Sequence, residues 1–107
     1  MYEIVVDSAE PRAVARWWAD VLGATYGDEG ADEAWVEAIP GAPFDCMVFG
    51  RVPEAKTVKN RIHWDVRTDD LGLLLDAGAT VLDRQPRWTV LADPEGNEFC
   101  AFVPREG

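Results

Sequence analysis

Few side chains in this sequence can do chemistry near neutral pH, and they fall in strand-like runs. The one histidine, His63, has an imidazole whose ordinary pKa of about 6.5 suits proton transfer, and the same ring can bind a metal ion. Glu98 follows a tight turn and can act as a general base or as a polar anchor. We take His63 and Glu98 as the candidate catalytic residues.

Side-chain alternation sorts these runs into two faces. His63 and Asp65 share one side of their run, and Glu98 and Cys100 share one side of the last run. Glu3 lies on the corresponding side of the first run, while the opposite sides are largely apolar. We therefore expect a polar-lined concave sheet face, with Glu3, Asp65 and Cys100 as ligand-binding candidates.

Each of these residues also has a plain structural interpretation. His63 could be a structural histidine paired with Asp65, and Glu98 a solvated carboxylate at a strand end. Glu3 lies near a terminus, where side chains are often simply exposed. Cys100 has no base adjacent in sequence, which favours a small buried filler over a reactive thiol.

The first half of the chain predicts the order β-α-β-β-β. A β-branched and aromatic run at residues 2–6 indicates a strand. An apolar stripe at helical spacing then predicts a helix that begins near Pro11 and ends at Gly23, with Asp7 or Ser8 as its N-cap. Three more strands are expected at residues 24–26, 34–39 and 44–52, and a linker is expected at residues 53–60.

The second half repeats this order. A strand is expected at residues 61–67 and a helix at residues 68–77, with Thr68 as the N-cap. Three strands follow at residues 79–83, 87–92 and 97–103, and the turn Asp93-Pro94-Glu95-Gly96 joins the last two. We therefore predict one α+β domain made of two βαβββ modules, at about residues 1–52 and 61–104.

Trp35 and Trp88 occupy equivalent positions in the two predicted modules. Large aromatic side chains at such positions can line a binding site as stacking walls. They can equally pack in the core or at a dimer interface, where aromatic residues are enriched. We include both as ligand-binding candidates.

Composition excludes several classes of partner. The chain has 107 residues, a net charge of -10 and a pI near 4.3, which offers no basic patch for nucleic acid or for an anionic membrane. No apolar run approaches the roughly 20 residues that span a bilayer, and no basic leader follows Met1. We expect a cytoplasmic protein whose two cysteines are free thiols.

Three segments of the sequence resemble the glyoxalase-like domains of the vicinal-oxygen-chelate superfamily. They are residues 51–66 (RVPEAKTVKNRIHWDV), 75–80 (LDAGAT) and 92–100 (ADPEGNEFC). That superfamily includes glyoxalase I, bleomycin resistance proteins and extradiol dioxygenases. The resemblance implies two βαβββ modules that form an incomplete barrel around a cavity, commonly in a homodimer.

The resemblance also implies where a metal would lie. Catalytic members hold one divalent ion through the first and last strands of each module. His63 falls on the fifth-strand ligand position, Glu3 falls near the first-strand position, and Cys100 falls where the family carries a carboxylate, with Glu98 earlier on the same side. The fourth-strand position stays open between Cys46, Met47 and Gly50.

One histidine cannot supply the two that extradiol iron chemistry requires within a protomer. The resemblance therefore implies a small-molecule-binding protein of the glyoxalase or bleomycin-resistance type, without a complete catalytic metal site. The alternative is a metal-dependent lyase or isomerase in which His63 and Glu3 bind zinc, nickel, iron or manganese. Whether the chain is an enzyme stays open at this point.

Overall fold

The chain forms two compact units, Met1–Ala55 (unit 1) and Lys56–Gly107 (unit 2), and the computed structural model describes residues 3–102. Each unit contains one helix and one four-stranded mixed sheet, in the order βαβββ. The predicted α+β class with two βαβββ modules is confirmed. Neither sheet closes into a barrel, because each has two outermost strands. Tyr2 and Val103, which the predicted first and last strands include, lie outside the described residues.

Unit 1 is a sheet with one long helix packed on it. The strand order is β1-β4-β3-β2, with β1 parallel to β4 and the other pairs antiparallel. Helix α1 contacts β3, β4 and β2. The elements are β1 (Glu3–Ser8), α1 (Pro11–Leu22), β2 (Thr25–Asp28), β3 (Glu33–Glu37) and β4 (Cys46–Arg51).

Local sequence explains both ends of α1. Pro11 occupies the first turn, where its missing N–H costs no helical hydrogen bond, and Gly23 ends the helix in the left-handed region at φ 65°. The predicted N-cap at Asp7 or Ser8 is wrong. Strand β1 continues through Ser8, whose carbonyl accepts a hydrogen bond from Val52 N, so the helix begins later. Glu10 occupies the cap position, and its side chain makes no capping hydrogen bond to the helix.

Unit 2 repeats the sheet with a shorter helix. Its strand order is β5-β8-β7-β6, with β5 parallel to β8. Leu74 of the helix is buried, together with Leu91, Phe99 and Ala101 of the sheet. The elements are β5 (Trp64–Arg67), α2 (Leu71–Asp76), β6 (Thr80–Arg84), β7 (Trp88–Ala92) and β8 (Glu98–Phe102).

The start of α2 corrects the predicted N-cap at Thr68. The N-cap is Asp70, whose carboxylate accepts a hydrogen bond from Leu73 N at 3.3 Å. Thr68 is still bound to the sheet, because its backbone N–H donates to Phe102 O. Its hydroxyl oxygen instead accepts a hydrogen bond from Asp70 N. Within residues 3–102, neither helix is long and apolar enough to cross a bilayer.

Candidate metal and ligand site

Three potential metal ligands meet in unit 2: His63, Asp65 and Cys100. One ligand atom from each lies within 4.8 Å of the other two. The His63 Nδ1 to Asp65 Oδ1 distance is 3.8 Å, which is an ion-pair distance only when the imidazole is protonated and is too long for a hydrogen bond. His63 and Asp65 are exposed, and Cys100 is half-buried.

Strand pairing brings these residues together. Asp65 on β5 and Cys100 on β8 are register partners in the parallel pair, so their side chains leave the same face of the sheet side by side. His63 directly precedes β5 and lies two residues before Asp65. The opposite face carries the buried partners Phe99 and Ala101. The face with Cys100 is therefore the open one, and we call it the open face of unit 2.

The surroundings of Cys100 favour the neutral thiol in the absence of a metal. Burial raises the pKa of Cys100, and the negative charge of Asp65 raises it further. The positive charge of Lys59 acts in the opposite direction but does not outweigh them. A metal bound here would have to displace the thiol proton.

The donor chemistry fits a zinc-like divalent ion. Zinc is bound by histidine nitrogen, cysteine sulfur and carboxylate oxygen, and catalytic sites take three protein ligands and leave a position for water or substrate. His63, Cys100 and Asp65 supply one donor of each type. The exposed side chains of His63 and Asp65 are free to make the small rotations that closer coordination requires.

Glu98 lies on the same strand as Cys100, but its carboxylate is held by other groups. Its Oε1 accepts from Lys56 Nζ at 3.0 Å, and its Oε2 accepts from the backbone N–H of Asn60 at 2.8 Å. Burial alone would raise the pKa of Glu98, but these hydrogen bonds outweigh it and the pKa lies below the usual value. Such a carboxylate is a weak base, and it fixes the segment that leads to His63.

The turn before β8 is organised by Asp93, a buried residue that is only 4 % exposed. Its carboxylate accepts hydrogen bonds from Glu95 N, Asn97 N and Asn97 Nδ2, each at 2.9 Å. Asn97 Oδ1 in turn lies 3.4 Å from Asn60 Nδ2. The turn residues therefore set the start of β8 and connect it to the segment that Glu98 holds.

Glu3 lies in unit 1, where it has its own cysteine neighbour. Glu3 on β1 and Cys46 on β4 are register partners. Burial raises the pKa of the Cys46 thiol, and the charge of Glu3 and its hydrogen bond with Cys46 raise it further. This carboxylate–thiol pair occupies the same place in its module as the Asp65–Cys100 pair in unit 2.

The two candidate tryptophans differ in their surroundings. Trp35 is half-buried, and its indole lies across Gly27 of the neighbouring strand, where a Cβ would come within 2.6 Å of Trp35 Cε2. Trp88 is 36 % exposed and its ring centroid lies 6.1 Å from that of Phe102. Trp35 pairs with Val48, which lies two residues after Cys46, and Trp88 pairs with Phe102, which lies two residues after Cys100. The two tryptophans therefore occupy equivalent register positions in their units, as expected from the sequence.

The sequence predicted the residues of this face but grouped them differently. It proposed His63 and Glu3 as metal ligands and Asp65 as a ligand anchor, whereas the structure places Asp65 with His63 and Cys100. The signal for Asp65 was its position two residues after His63 on one strand face. Its pairing with Cys100 depends on the register of β5 and β8, which the sequence does not display.

Solved structures with similar folds span nearly the whole chain. A glyoxalase/bleomycin resistance protein/dioxygenase family enzyme from Burkholderia phytofirmans PsJN is 15 % identical, with a TM-score of 0.72, and the alignment covers 94 % of this chain and 95 % of that chain. A "possible glyoxalase" from Bacillus cereus is 15 % identical, with a TM-score of 0.68 and the same coverage. The "oxidase ChaP-H2" is 19 % identical, with a TM-score of 0.67, and covers 100 % of this chain and 94 % of that chain. At these identities the likeness shows the fold alone.

Sequence comparison gives the family directly. No curated protein matches the chain significantly. The family model of the glyoxalase-like domain, however, matches residues 3–102, which include both βαβββ modules and the three segments with the sequence resemblance. The chain belongs to the glyoxalase-like domain family.

Proposed function

We propose that this chain binds a small organic molecule through a divalent metal ion held by His63, Asp65 and Cys100. The observation that carries the proposal is the convergence of these three donors on the open face of unit 2. A nitrogen, an oxygen and a sulfur donor suit zinc, and three ligands leave a position for an oxygen atom of the small molecule. Membership of a family that typically depends on metal ions supports the same function.

A divalent ion at this site would act as a Lewis acid toward an oxygen atom of the bound molecule. The residues of the chain set the rest of the chemistry. The strand ladder fixes the backbone positions of Asp65 and Cys100, and Glu98 holds the segment before His63. Because the carboxylate of Glu98 is bound by Lys56 and Asn60, its first role is to position this segment, and general-base catalysis at Glu98 is the less favoured role.

A second candidate is a metal-free binding protein of the bleomycin-resistance type. The contact between His63 and Asp65 favours it, because an imidazole and a carboxylate that face each other can bind a ligand by hydrogen bonds alone. Asp65 would then serve as the polar anchor on the open face of unit 2. The lyase or isomerase activity of the glyoxalase type remains a hypothesis that requires the metal.

The deciding experiment is the metal content of chelator-free, untagged protein by elemental analysis, followed by calorimetric titration with zinc. The proposal predicts about one zinc ion per chain after incubation with the metal. His63→Ala, Asp65→Asn and Cys100→Ser should each weaken zinc binding by at least about tenfold, since each removes one ligand, an effect of about 1.4 kcal/mol or more.

Unit 1 offers a matched control for the cysteine. Cys46→Ser makes the same chemical change at the equivalent register position and should leave zinc affinity unchanged. Replacing zinc with cobalt adds a spectroscopic readout, because a thiolate ligand gives a charge-transfer band in the near ultraviolet that Cys100→Ser should abolish. Absence of zinc binding, or equal losses in the two serine variants, would reject the metal-dependent function in favour of the metal-free candidate.

The remaining predictions concern assembly and location. A homodimer follows from the family resemblance and from the small core of a 107-residue chain. We also propose a cytoplasmic location. Light scattering coupled to size-exclusion chromatography tests the first prediction, and fractionation of cells that express the protein tests the second.

A further inference from the structure

Two rows of side chains cross the open face of unit 2. Register pairing connects Asp65 to Cys100 and Cys100 to Val90, which gives a row through the metal-ligand candidates. Two residues further along β8, Arg67 pairs with Phe102 and Phe102 with Trp88, which gives a second row. Two residues of a strand span about 7 Å, so the rows are separated by about the length of one substituted ring.

The second row is an aromatic surface. The ring planes of Trp88 and Phe102 are inclined by only 31°, and their centroids are 6.1 Å apart. Trp88 is 36 % exposed, although it is one of the largest apolar side chains of unit 2. Planar rings gain stacking energy on such a surface, in addition to the area that they bury.

The same row ends in a cation. Arg67 is exposed on β5, directly beside Phe102 in register. Its planar guanidinium can bind a carboxylate through two parallel hydrogen bonds.

We infer that the small molecule is a planar aromatic acid that carries a further oxygen donor. Its ring lies on Trp88 and Phe102, its carboxylate contacts Arg67, and its second oxygen reaches the row of His63, Asp65 and Cys100. The inference rests on the proposed function for this last contact only. The contacts with Trp88 and Arg67 do not require a metal ion.

The test uses four probe compounds. Salicylate has the ring, the carboxylate and the second oxygen; benzoate lacks the second oxygen, phenol lacks the carboxylate, and lactate lacks the ring. Each is titrated into zinc-free and zinc-loaded protein, and binding is followed by the shifts of backbone amide signals in a nitrogen–proton NMR spectrum, which the Trp88 variants retain. The indole N–H signal of Trp88 gives a second readout in the proteins that carry this residue. The signal is assigned with Trp88→Phe.

Salicylate should bind zinc-loaded protein about tenfold more tightly than lactate does, a difference of about 1.4 kcal/mol, since its ring gains stacking energy and buries apolar area. Trp88→Ala should weaken salicylate and benzoate by about three- to tenfold, and Arg67→Gln should weaken both acids but not phenol. Leu82→Ala removes another exposed apolar side chain of unit 2 outside the two rows and should change none of these affinities.

Two outcomes overturn the inference: lactate binding as tightly as salicylate, or an affinity for salicylate that neither Trp88→Ala nor Arg67→Gln alters. If Trp88→Ala does not fold, the affinities of Arg67→Gln and Trp88→Phe for salicylate still test the inference. The same spectra show whether each variant is folded. Zinc binding is measured separately by calorimetry. Zinc binding without aromatic selectivity therefore rejects the ligand class alone, and aromatic selectivity without zinc binding rejects the metal alone.

Discussion

The Glu98 carboxylate should be a major determinant of stability in unit 2. Glu98→Ala removes the acceptor of two hydrogen bonds, one from the Lys56 ammonium and one from the backbone N–H of Asn60. The side chains of Glu98 and Lys56 are only 14 % and 23 % exposed, so water replaces these bonds poorly. A hydrogen bond to a charged group contributes about 1.5–3 kcal/mol, and partial exposure reduces this value.

We therefore expect Glu98→Ala to lower the free energy of unfolding by about 2 kcal/mol. For a domain of this size that loss corresponds to a decrease in Tm of roughly 10 °C. Glu98→Gln keeps one oxygen acceptor but loses the charge, and it should cost about half as much. Urea unfolding monitored by far-ultraviolet circular dichroism gives both values, together with the m value that reports whether unfolding remains cooperative.

A double-mutant cycle separates the ion pair from the rest of the effect. Lys56→Ala combined with Glu98→Ala should show a coupling energy of about 0.5–1.5 kcal/mol. Lys59→Ala is the matched control, because it makes the same change three residues away. Within residues 3–102 it is Lys56, and not Lys59, that contacts Glu98, so Lys59→Ala should show no coupling energy with Glu98→Ala. Strict additivity between Lys56 and Glu98, or a loss below about 0.5 kcal/mol in Glu98→Ala, would refute the reasoning.

Three further predictions concern unit 1. Gly27→Ala should destabilise the protein by about 1–3 kcal/mol in urea titrations and shift the tryptophan emission, because the new methyl group would displace the Trp35 indole; unchanged emission would contradict the packing. Glu3→Gln should speed alkylation of Cys46, measured by peptide mass spectrometry, because it removes a charge that raises the pKa of this thiol; an equal rate would show that burial alone protects it. A hydrogen bond from a backbone N–H lowers the pKa of Asp28, so the stability that its carboxylate contributes is present above the unfolded-state pKa and is lost as the pH falls through the folded-state pKa. The stability difference between the wild type and Asp28→Asn should therefore shrink on acidification, and a constant difference would count against the shift.

The order of elements could be predicted because local signals agree with tertiary structure. Pro11 and Gly23 mark the ends of α1, and the turn at Asp93 separates β7 from β8. Both errors in helix capping have one cause. Ser8 and Thr68 are good capping residues by type, but each is still hydrogen-bonded to its sheet through a backbone group, and strand pairing takes precedence over local capping.

The candidate site was only partly predictable for a related reason. Alternation along a strand tells which side chains share a face, and it placed His63 beside Asp65, although β5 begins only at Trp64 and His63 lies just before it. It does not tell which residue of β8 lies opposite Asp65, because that depends on the offset between two strands more than 30 residues apart in the chain. The hydrogen-bond partners of Glu98 are Lys56 and Asn60, which lie in the segment before β5. The sequence of this segment has no apolar periodicity that would predict their position.

The position of Asp65 on an outermost strand affects how related sequences should be interpreted. Strand β5 is four residues long and carries alternating charges at Asp65 and Arg67. Charged side chains on such a strand oppose pairing with the strands of other molecules, which protects a sheet from aggregation. Selection for solubility would therefore preserve a charge at this position even in a homologue that has lost the imidazole or the thiol. An acidic residue here, taken alone, is accordingly no marker of metal dependence, and the three donors must be scored together.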